Sequence, residues 1–213
     1  KYIWTDGQFI PWDEAKVHVL AHTLHYGGGA FEGIRAYRTP KGPAVFRLKE
    51  HLERLFYSSK AICLDISFSL DELHEVILEL TKKNEIEECY IRPIIFFFFF
   101  FIRVNPSGEP TQFAIACCPL GKYLPHNMVD VKTTSYIRIH PKSLVADAKI
   151  CAHYVNSMLA LQEMHQISKE TGKEYHEILF LDYEGNVAEG SGENFFMVKQ
   201  ERLVTPPLGR ILR

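Results

Sequence analysis

Lys149 stands in a run of small and apolar residues, Ser143-Leu144-Val145-Ala146-Asp147-Ala148-Lys149-Ile150-Cys151-Ala152, with no acid four residues away to pair with it on a helix. An apolar setting disfavours the ammonium ion and makes the neutral, nucleophilic amine accessible. Such an amine can hold an aldehyde cofactor as a Schiff base. Further along, Glu189 sits in Ala188-Glu189-Gly190-Ser191-Gly192-Glu193-Asn194, a glycine-rich turn between two strand-like runs. Glycines there let the backbone close on a bound group. A carboxylate in that place can keep a pyridine nitrogen protonated, so that the ring draws in electrons. At about 4 Å and an effective dielectric near 20, the acid and such a cation attract by roughly 4 kcal/mol. The lysine and the acid together point to pyridoxal 5'-phosphate chemistry. The plain alternatives are a surface lysine and a solvent-facing hairpin acid.

Two further residues suit the same chemistry. Arg54, in Leu52-Glu53-Arg54-Leu55, offers a guanidinium fork that could grip a phosphate. Its competing partner is Glu50, four residues earlier on the same expected helix. Tyr154, just beyond Lys149, could hydrogen-bond a phenolate or simply pack as a helix aromatic. His18, His22 and His25 fall at i, i+4, i+7, a spacing that resembles a metal site on a helix. Against it, Val17-His18-Val19 alternates like a strand and no carboxylate lies within the triplet, so no metal site is assigned.

These residues need elements to hold them. Tyr2-Ile3-Trp4-Thr5 and Gln8-Phe9-Ile10 flank Asp6-Gly7, a two-residue hairpin signal. Residues 49–60 read as a helix with Leu52, Leu55 and Phe56 on one face. Ser69 with Glu72 makes a capping-box pattern for a second helix, striped by Leu70, Leu73, Val76, Ile77 and Leu80 and ending near Asn84. Residues 90–95 and 113–117 look like buried strands, and 119–125 has linker composition. A strand at 131–135 follows, then a helix at 152–170 packed in part by Val155, Met158, Leu159 and Leu161. Gly172 stands just past its end. Strands at 178–182 and 194–198 enclose a turn at 183–186. The sum is an α+β chain in two domains, 1–120 and 131–213, joined by 121–130. Phe96 to Phe101 is a run of six phenylalanines. Burying all six is worth roughly 9–18 kcal/mol and needs a central strand covered on both faces. A misassigned stretch of sequence is the other reading.

The bulk composition excludes several classes. The 213 residues are 46% hydrophobic and 23% charged, enough for a real core, and the net charge of −2 favours neither nucleic acid nor an anionic membrane. No apolar run approaches the roughly 20 residues that span a bilayer, and the polar opening is no signal peptide. Five cysteines without a C-x-x-C pair read as reduced core thiols of a cytoplasmic protein.

In several stretches the chain resembles the branched-chain amino-acid aminotransferases, class IV enzymes of the fold-type-IV pyridoxal-phosphate group. They are Ala15-Lys16-Val17-His18-Val19, His25-Tyr26-Gly27, Phe31-Glu32-Gly33-Ile34-Arg35-Ala36-Tyr37, Tyr90-Ile91-Arg92-Pro93, Ala148-Lys149 and Glu189-Gly190-Ser191-Gly192-Glu193-Asn194. The resemblance implies a D-amino-acid-aminotransferase-like fold, with a small α/β domain and a larger barrel-like domain that is incomplete here. It makes Lys149 the Schiff-base lysine, which also moves the substrate proton, and Glu189 the acid at the pyridine nitrogen. Arg54 becomes the phosphate ligand and Tyr154 the partner of the phenolic oxygen. Tyr26, Phe31, Gly33, Arg35, Tyr90, Arg92 and Tyr123 match positions lining the substrate pocket, with Arg92 and Tyr26 as partners for a distal carboxylate. The implied reaction moves an amino group between leucine, isoleucine or valine and 2-oxoglutarate, in a homodimer. D-amino-acid transaminases and aminodeoxychorismate lyases share the fold and are the nearest alternatives; a non-catalytic fragment is a third. The chain departs from the pattern at the phenylalanine run, at Gly27-Gly28-Gly29 and at Ile150-Cys151-Ala152-His153, where smaller residues and an asparagine are common. Family members also continue beyond the position of Arg213, through segments that complete the phosphate cup, so the chain reads as truncated or partly unobserved.

Overall fold

The computed structural model describes residues 1–99, 102–121, 124 and 126–213. Tyr123, and Phe100 and Phe101 of the phenylalanine run, lie outside the described residues. The chain forms two compact units. Lys1–Gly121 with Lys149–Ala152 make the first, and the second takes the remaining described residues.

The first unit is an antiparallel sheet backed by helices. Strands β1 (Tyr2–Thr5) and β2 (Gln8–Pro11) form the hairpin expected from Asp6-Gly7, which take φ of 44° and 93°. Those positive angles match the twist of the flanking strands, and few residue pairs but these accept them. A short helix α1 (His22–Tyr26) leads into β3 (Gly29–Phe31), β4 (Ile34–Thr39) and β5 (Gly42–Val45). Helices α2 (Leu48–Ala61) and α3 (Leu70–Lys83) follow, then β6 (Cys89–Phe97) and β7 (Thr111–Cys118). The strand order is β2-β1-β7-β6-β4-β5, with β3 pairing the far end of β6. Helix α3 opens on the full capping box: Glu72 N–H donates to Ser69 Oγ at 3.2 Å, and Ser69 N–H to Glu72 Oε2 at 2.7 Å. Its Leu73, Ile77 and Leu80, with Leu52 and Leu55 of α2, are sealed against Ile34, Ile91 and Ile115 of the sheet. Each is worth about 1.5–3 kcal/mol of apolar burial.

Strand β6 runs through the middle of the sheet, and Phe96 and Phe97 are its last residues, both buried. Phe99 is buried beyond the strand end, stacked on His22 at 4.6 Å between ring centroids. Phe96 and Phe97 therefore have the cover that a central strand demands, whereas Phe98, past the strand, is half-buried.

The second unit contains β8 (Val131–Ile137), α4 (Tyr154–Thr171) and β9 (Glu177–Leu181), and β9 lies parallel to β8. A parallel pair requires a crossover, and α4 supplies it. Gly172 ends α4 in the left-handed conformation at φ 70°, as its position predicts. Val155, Met158 and Leu159, expected to pack the helix, are instead exposed; Ala160 and Met164 face Ile178 and Phe180. The small Ala160 lets the helix approach the strands, and that choice turns the Val155–Leu159 side outward. The strand expected at 194–198 starts later, as β10 (Met197–Lys199), and pairs with β11 (Arg202–Val204) rather than with β9. The partner of β9 on that side is a single bridge, Leu181 to Val187.

Candidate active site

Lys149 is only 9% exposed, a rare state for a lysine. Its main chain explains how it is held there. The Phe31 amide donates to the Lys149 carbonyl at 3.2 Å, and Ile150 bridges Ala30, so the segment lies along β3. The Lys149 amide donates to Ser58 Oγ on α2 at 2.8 Å. The side chain then runs over Phe31, with Nζ 5.1 Å from the ring centroid. The Arg92 guanidinium carbon is 4.3 Å from the same centroid, and Arg92 Nη2 donates to the Tyr90 hydroxyl at 2.8 Å. A Cβ on Gly33 would collide with that hydroxyl oxygen, so only glycine lets Tyr90 reach its place. Four of the expected pocket residues, Phe31, Gly33, Tyr90 and Arg92, thus gather with Lys149. Cys151, two residues on, has its thiol pushed up by burial, with the Arg92 charge opposing.

Two other expected pocket residues make contacts of their own. Arg35 donates to the Leu120 carbonyl at 3.1 Å and lies 3.7 Å from Glu88. Tyr26 ends α1 with its ring 4.7 Å from His22, and the next residue, Gly27, presses on Ala152, which a Cβ would meet at 2.8 Å. Tyr123 is not among the described residues.

Glu50 binds Arg47 at 2.7 Å, while Arg54 is held by another acid. Its partner is Glu32, from the turn between β3 and β4: Nε donates to Oε1 at 2.5 Å and Nη2 to Oε2 at 2.7 Å. Glu32 has no exposed surface and also meets His51 Nδ1 at 2.9 Å and the Gly33 amide at 3.1 Å. Burial alone would raise this carboxyl, but bonds from Arg54 and His51, and the charges of Arg54 and Lys149, hold it below the usual range. Charge-assisted, bidentate contacts of this kind fix a guanidinium in orientation as well as in place.

In the second unit, Glu189 is buried and ion-paired with Arg138, whose Nε donates to its Oε1. Arg138 Nη2 also donates to the Ala146 carbonyl at 3.0 Å, and the Leu212 amide donates to Glu189 Oε2 at 3.0 Å. The turn hangs from β9 through the Ala188 amide on the Phe180 carbonyl and the Phe180 amide on the Glu189 carbonyl, each 2.9 Å. The cation expected opposite Glu189 was a protonated pyridine nitrogen; Arg138, 51 residues away and with no motif around it, was not foreseen. Tyr154 is half-buried as the first residue of α4. Before it, His153 is buried, and neither ring nitrogen makes a well-formed hydrogen bond among the described residues. Burial and the nearby Arg138 charge push its pKa down to about 4, against a smaller favourable influence of the Ala148 backbone, so the imidazole is neutral.

The three spaced histidines do not converge. His22 Nε2 meets the Arg103 carbonyl at 3.1 Å, His25 Nε2 the Val19 carbonyl at 3.0 Å, and His18 Nδ1 accepts the Leu20 amide at 3.1 Å. Residue 18 precedes α1, so the helical spacing does not apply to it. Among the described residues no helix is long and apolar enough to cross a membrane.

Comparison with known proteins gives a consistent result. The family model described as amino-transferase class IV matches residues 29–213. A branched-chain-amino-acid aminotransferase of Pseudomonas aeruginosa is 41% identical over 208 residues, which are 96% of this chain and 66% of that protein. The chain thus spans about two thirds of the length of such relatives. The crystal structure of a branched-chain aminotransferase from Thermoproteus uzoniensis with norvaline superposes with a TM-score of 0.90 at 39% identity, covering 99% of this chain and 70% of that one. The branched-chain amino acid aminotransferase from Thermobaculum terrenum in its PLP-form gives 0.86 at 30% identity, covering 100% and 69%. These neighbours agree with the fold-type-IV, α+β expectation.

Proposed function

We propose that this protein, whose chain belongs to the class IV aminotransferase family, moves amino groups between branched-chain L-amino acids and 2-oxoglutarate. Its products are 2-oxo acids and glutamate, and its cofactor is pyridoxal 5'-phosphate. The observation that carries the proposal is the lysine at position 149, buried, fixed through its backbone by β3 and α2, and flanked by Phe31 and Arg92. A lysine so enclosed and so fixed suits an amine that must act as nucleophile and then as base. The donor set fits the cofactor: an amine, a fixed guanidinium, a phenol, a neutral imidazole and a buried acid. The Arg92 Nε is a buried polar atom without a hydrogen-bond partner among the described residues, as expected of a group that awaits a ligand.

When bound, pyridoxal 5'-phosphate supplies an electron sink for the pair of electrons left at the substrate Cα. Lys149 would hold it covalently and, once released by the incoming amine, carry the proton at Cα. Glu189, kept in position by Arg138, would face the pyridine nitrogen, and Tyr154 would hydrogen-bond the phenolic oxygen. Arg54, oriented by Glu32, would bind the phosphate. Phe31 and Tyr90 offer apolar surface to a branched side chain, and Arg92 a cation to the distal carboxylate of glutamate. Tyr26, Gly33, Arg35 and Tyr123 complete the proposed substrate-lining set. We place the protein in the cytoplasm, as a homodimer.

Borohydride reduction of the protein after loading with pyridoxal 5'-phosphate should fix the added mass on the peptide holding Lys149. Attachment at another lysine would overturn the assignment. Single-turnover reactions with L-leucine and with D-alanine separate the branched-chain reading from the D-amino-acid one.

A further inference from the structure

Helix α2 turns two side chains onto one buried acid, and the proposed reaction uses only one of them. His51 and Arg54 stand three residues apart, so they lie on the same face of the helix. His51 belongs to the first turn, where its amide donates to the Arg47 carbonyl at 3.1 Å. Arg54, a turn later, holds Glu32 through Nε and Nη2. Glu32 is tied down at its main chain as well, its amide donating to the Pro93 carbonyl of β6 at 2.9 Å.

The two carboxylate oxygens are loaded unequally. Oε1 takes Arg54 Nε at 2.5 Å, while Oε2 takes Arg54 Nη2 at 2.7 Å, the Gly33 amide at 3.1 Å and His51 Nδ1 at 2.9 Å. An ionised carboxylate only accepts, so the imidazole donates here and carries its hydrogen on Nδ1. The last torsion of a glutamate is broad, so outside donors rather than the rotamer set the plane of its carboxylate. The Gly33 amide belongs to the same turn as the acid and moves with it. His51 is different: it ties Oε2 to the helix that also presents the guanidinium. In a two-point contact the plane of the carboxylate sets the plane of the guanidinium.

We infer that His51 is a positioning residue for phosphate binding: its Nδ1–H, by fixing the plane of the Glu32 carboxylate, fixes the plane in which Arg54 meets the phosphate of pyridoxal 5'-phosphate. The inference rests on reading Arg54 as the phosphate ligand. A purely structural His51 would hold the fold together and treat every ligand alike.

Pyridoxal 5'-phosphate and pyridoxal share the aldehyde and the ring and differ in the phosphate. The ratio of their affinities for the cofactor-free protein therefore isolates the grip on phosphate from folding and from the bond to Lys149. His51→Ala should lower that ratio roughly tenfold, about the worth of one hydrogen bond to a charged group, and leave pyridoxal binding unchanged. His51→Asn, whose amide nitrogen can stand near the place of Nδ1, should restore it. A His51→Ala protein that keeps the parent ratio, or that weakens both aldehydes alike, overturns the inference. Arg54→Gln separates the two failures: a collapsed ratio in that variant keeps Arg54 as the phosphate ligand even where the role of His51 falls, and an unchanged ratio ends both. A second measurement needs no cofactor. By NMR, the Arg54 Nε–H should exchange slowly with water in the parent and in His51→Asn, and several-fold faster in His51→Ala; equal exchange in all three overturns the inference even where neither aldehyde binds. If His51→Ala does not fold, the nitrogen NMR spectrum of the parent imidazole decides: hydrogen on Nδ1 at neutral pH supports the inference, and hydrogen on Nε2 alone overturns it.

Discussion

Glu32→Gln tests the most tightly bound charge in the first unit. The native carboxylate has no exposed surface and accepts from Arg54 at 2.5 and 2.7 Å, from the Gly33 amide at 3.1 Å, and meets His51 at 2.9 Å. At about 3 Å and an effective dielectric near 20, the attraction to Arg54 is roughly 5 kcal/mol before desolvation. Removing one partner of a buried pair typically destabilises by about 3–5 kcal/mol, because the other charge is left without compensation. The Arg54 side chain keeps 20% of its exposure, which sets the expectation at the lower end, about 3 kcal/mol. The glutamine also turns an N–H₂ group toward the donors it replaces. The native carboxyl is held below its ordinary value of 4.5, so its stabilisation is complete above that pH and disappears as the pH falls through the lower, folded-state value. Urea unfolding at neutral and acid pH should therefore show a weaker variant at neutrality and a smaller acid loss than in the parent. A loss below about 1 kcal/mol, or an acid loss equal to that of the parent, would refute the reasoning. In Glu32→Gln/Arg54→Gln the two effects should be less than additive.

Two other changes follow from the packing. His153 is pushed from 6.5 to about 4, so its neutral burial stabilises above pH 6.5, and the gain is lost as pH falls toward 4. That loss amounts to roughly 3 kcal/mol at most, and thermal melts of His153→Asn across this window should be flatter than those of the parent. Gly33→Ala drives a methyl group into the Tyr90 hydroxyl oxygen and should cost about 1–3 kcal/mol in denaturant unfolding, with part regained in Gly33→Ala/Tyr90→Phe.

The features legible in the chain were those whose cause is local. Asp6-Gly7 specifies its turn through backbone angles, and Ser69 with Glu72 specifies a helix start through two short hydrogen bonds. The glycine past α4 ends it for a similar reason. Lys149 and Glu189 stood out because an isolated lysine and an acid between glycines are chemically unusual in themselves. What escaped reading depends on distant pairing. Arg54 had a near candidate in Glu50, yet it bonds with Glu32, 22 residues away, because a fully buried carboxylate has no alternative to a cation. Arg138 finds Glu189 across 51 residues only because β8 and β9 run parallel, a relation absent from either strand's own pattern. Strands β3 and β5 are three and four residues long, too short for alternation to announce them. The outward face of α4 was misjudged because apolar content alone does not say which side a helix buries.

The bond from the Lys149 amide to Ser58 spans 91 residues of chain. Closing so long a loop carries an entropic penalty that local helices and hairpins do not face. The Lys149 segment is consequently expected to dock late in its berth, after α2 and the central strands are assembled. On a translating ribosome that berth cannot exist until the polypeptide past residue 149 has emerged, so uptake of an aldehyde by this lysine would serve as a clock for maturation of the first unit.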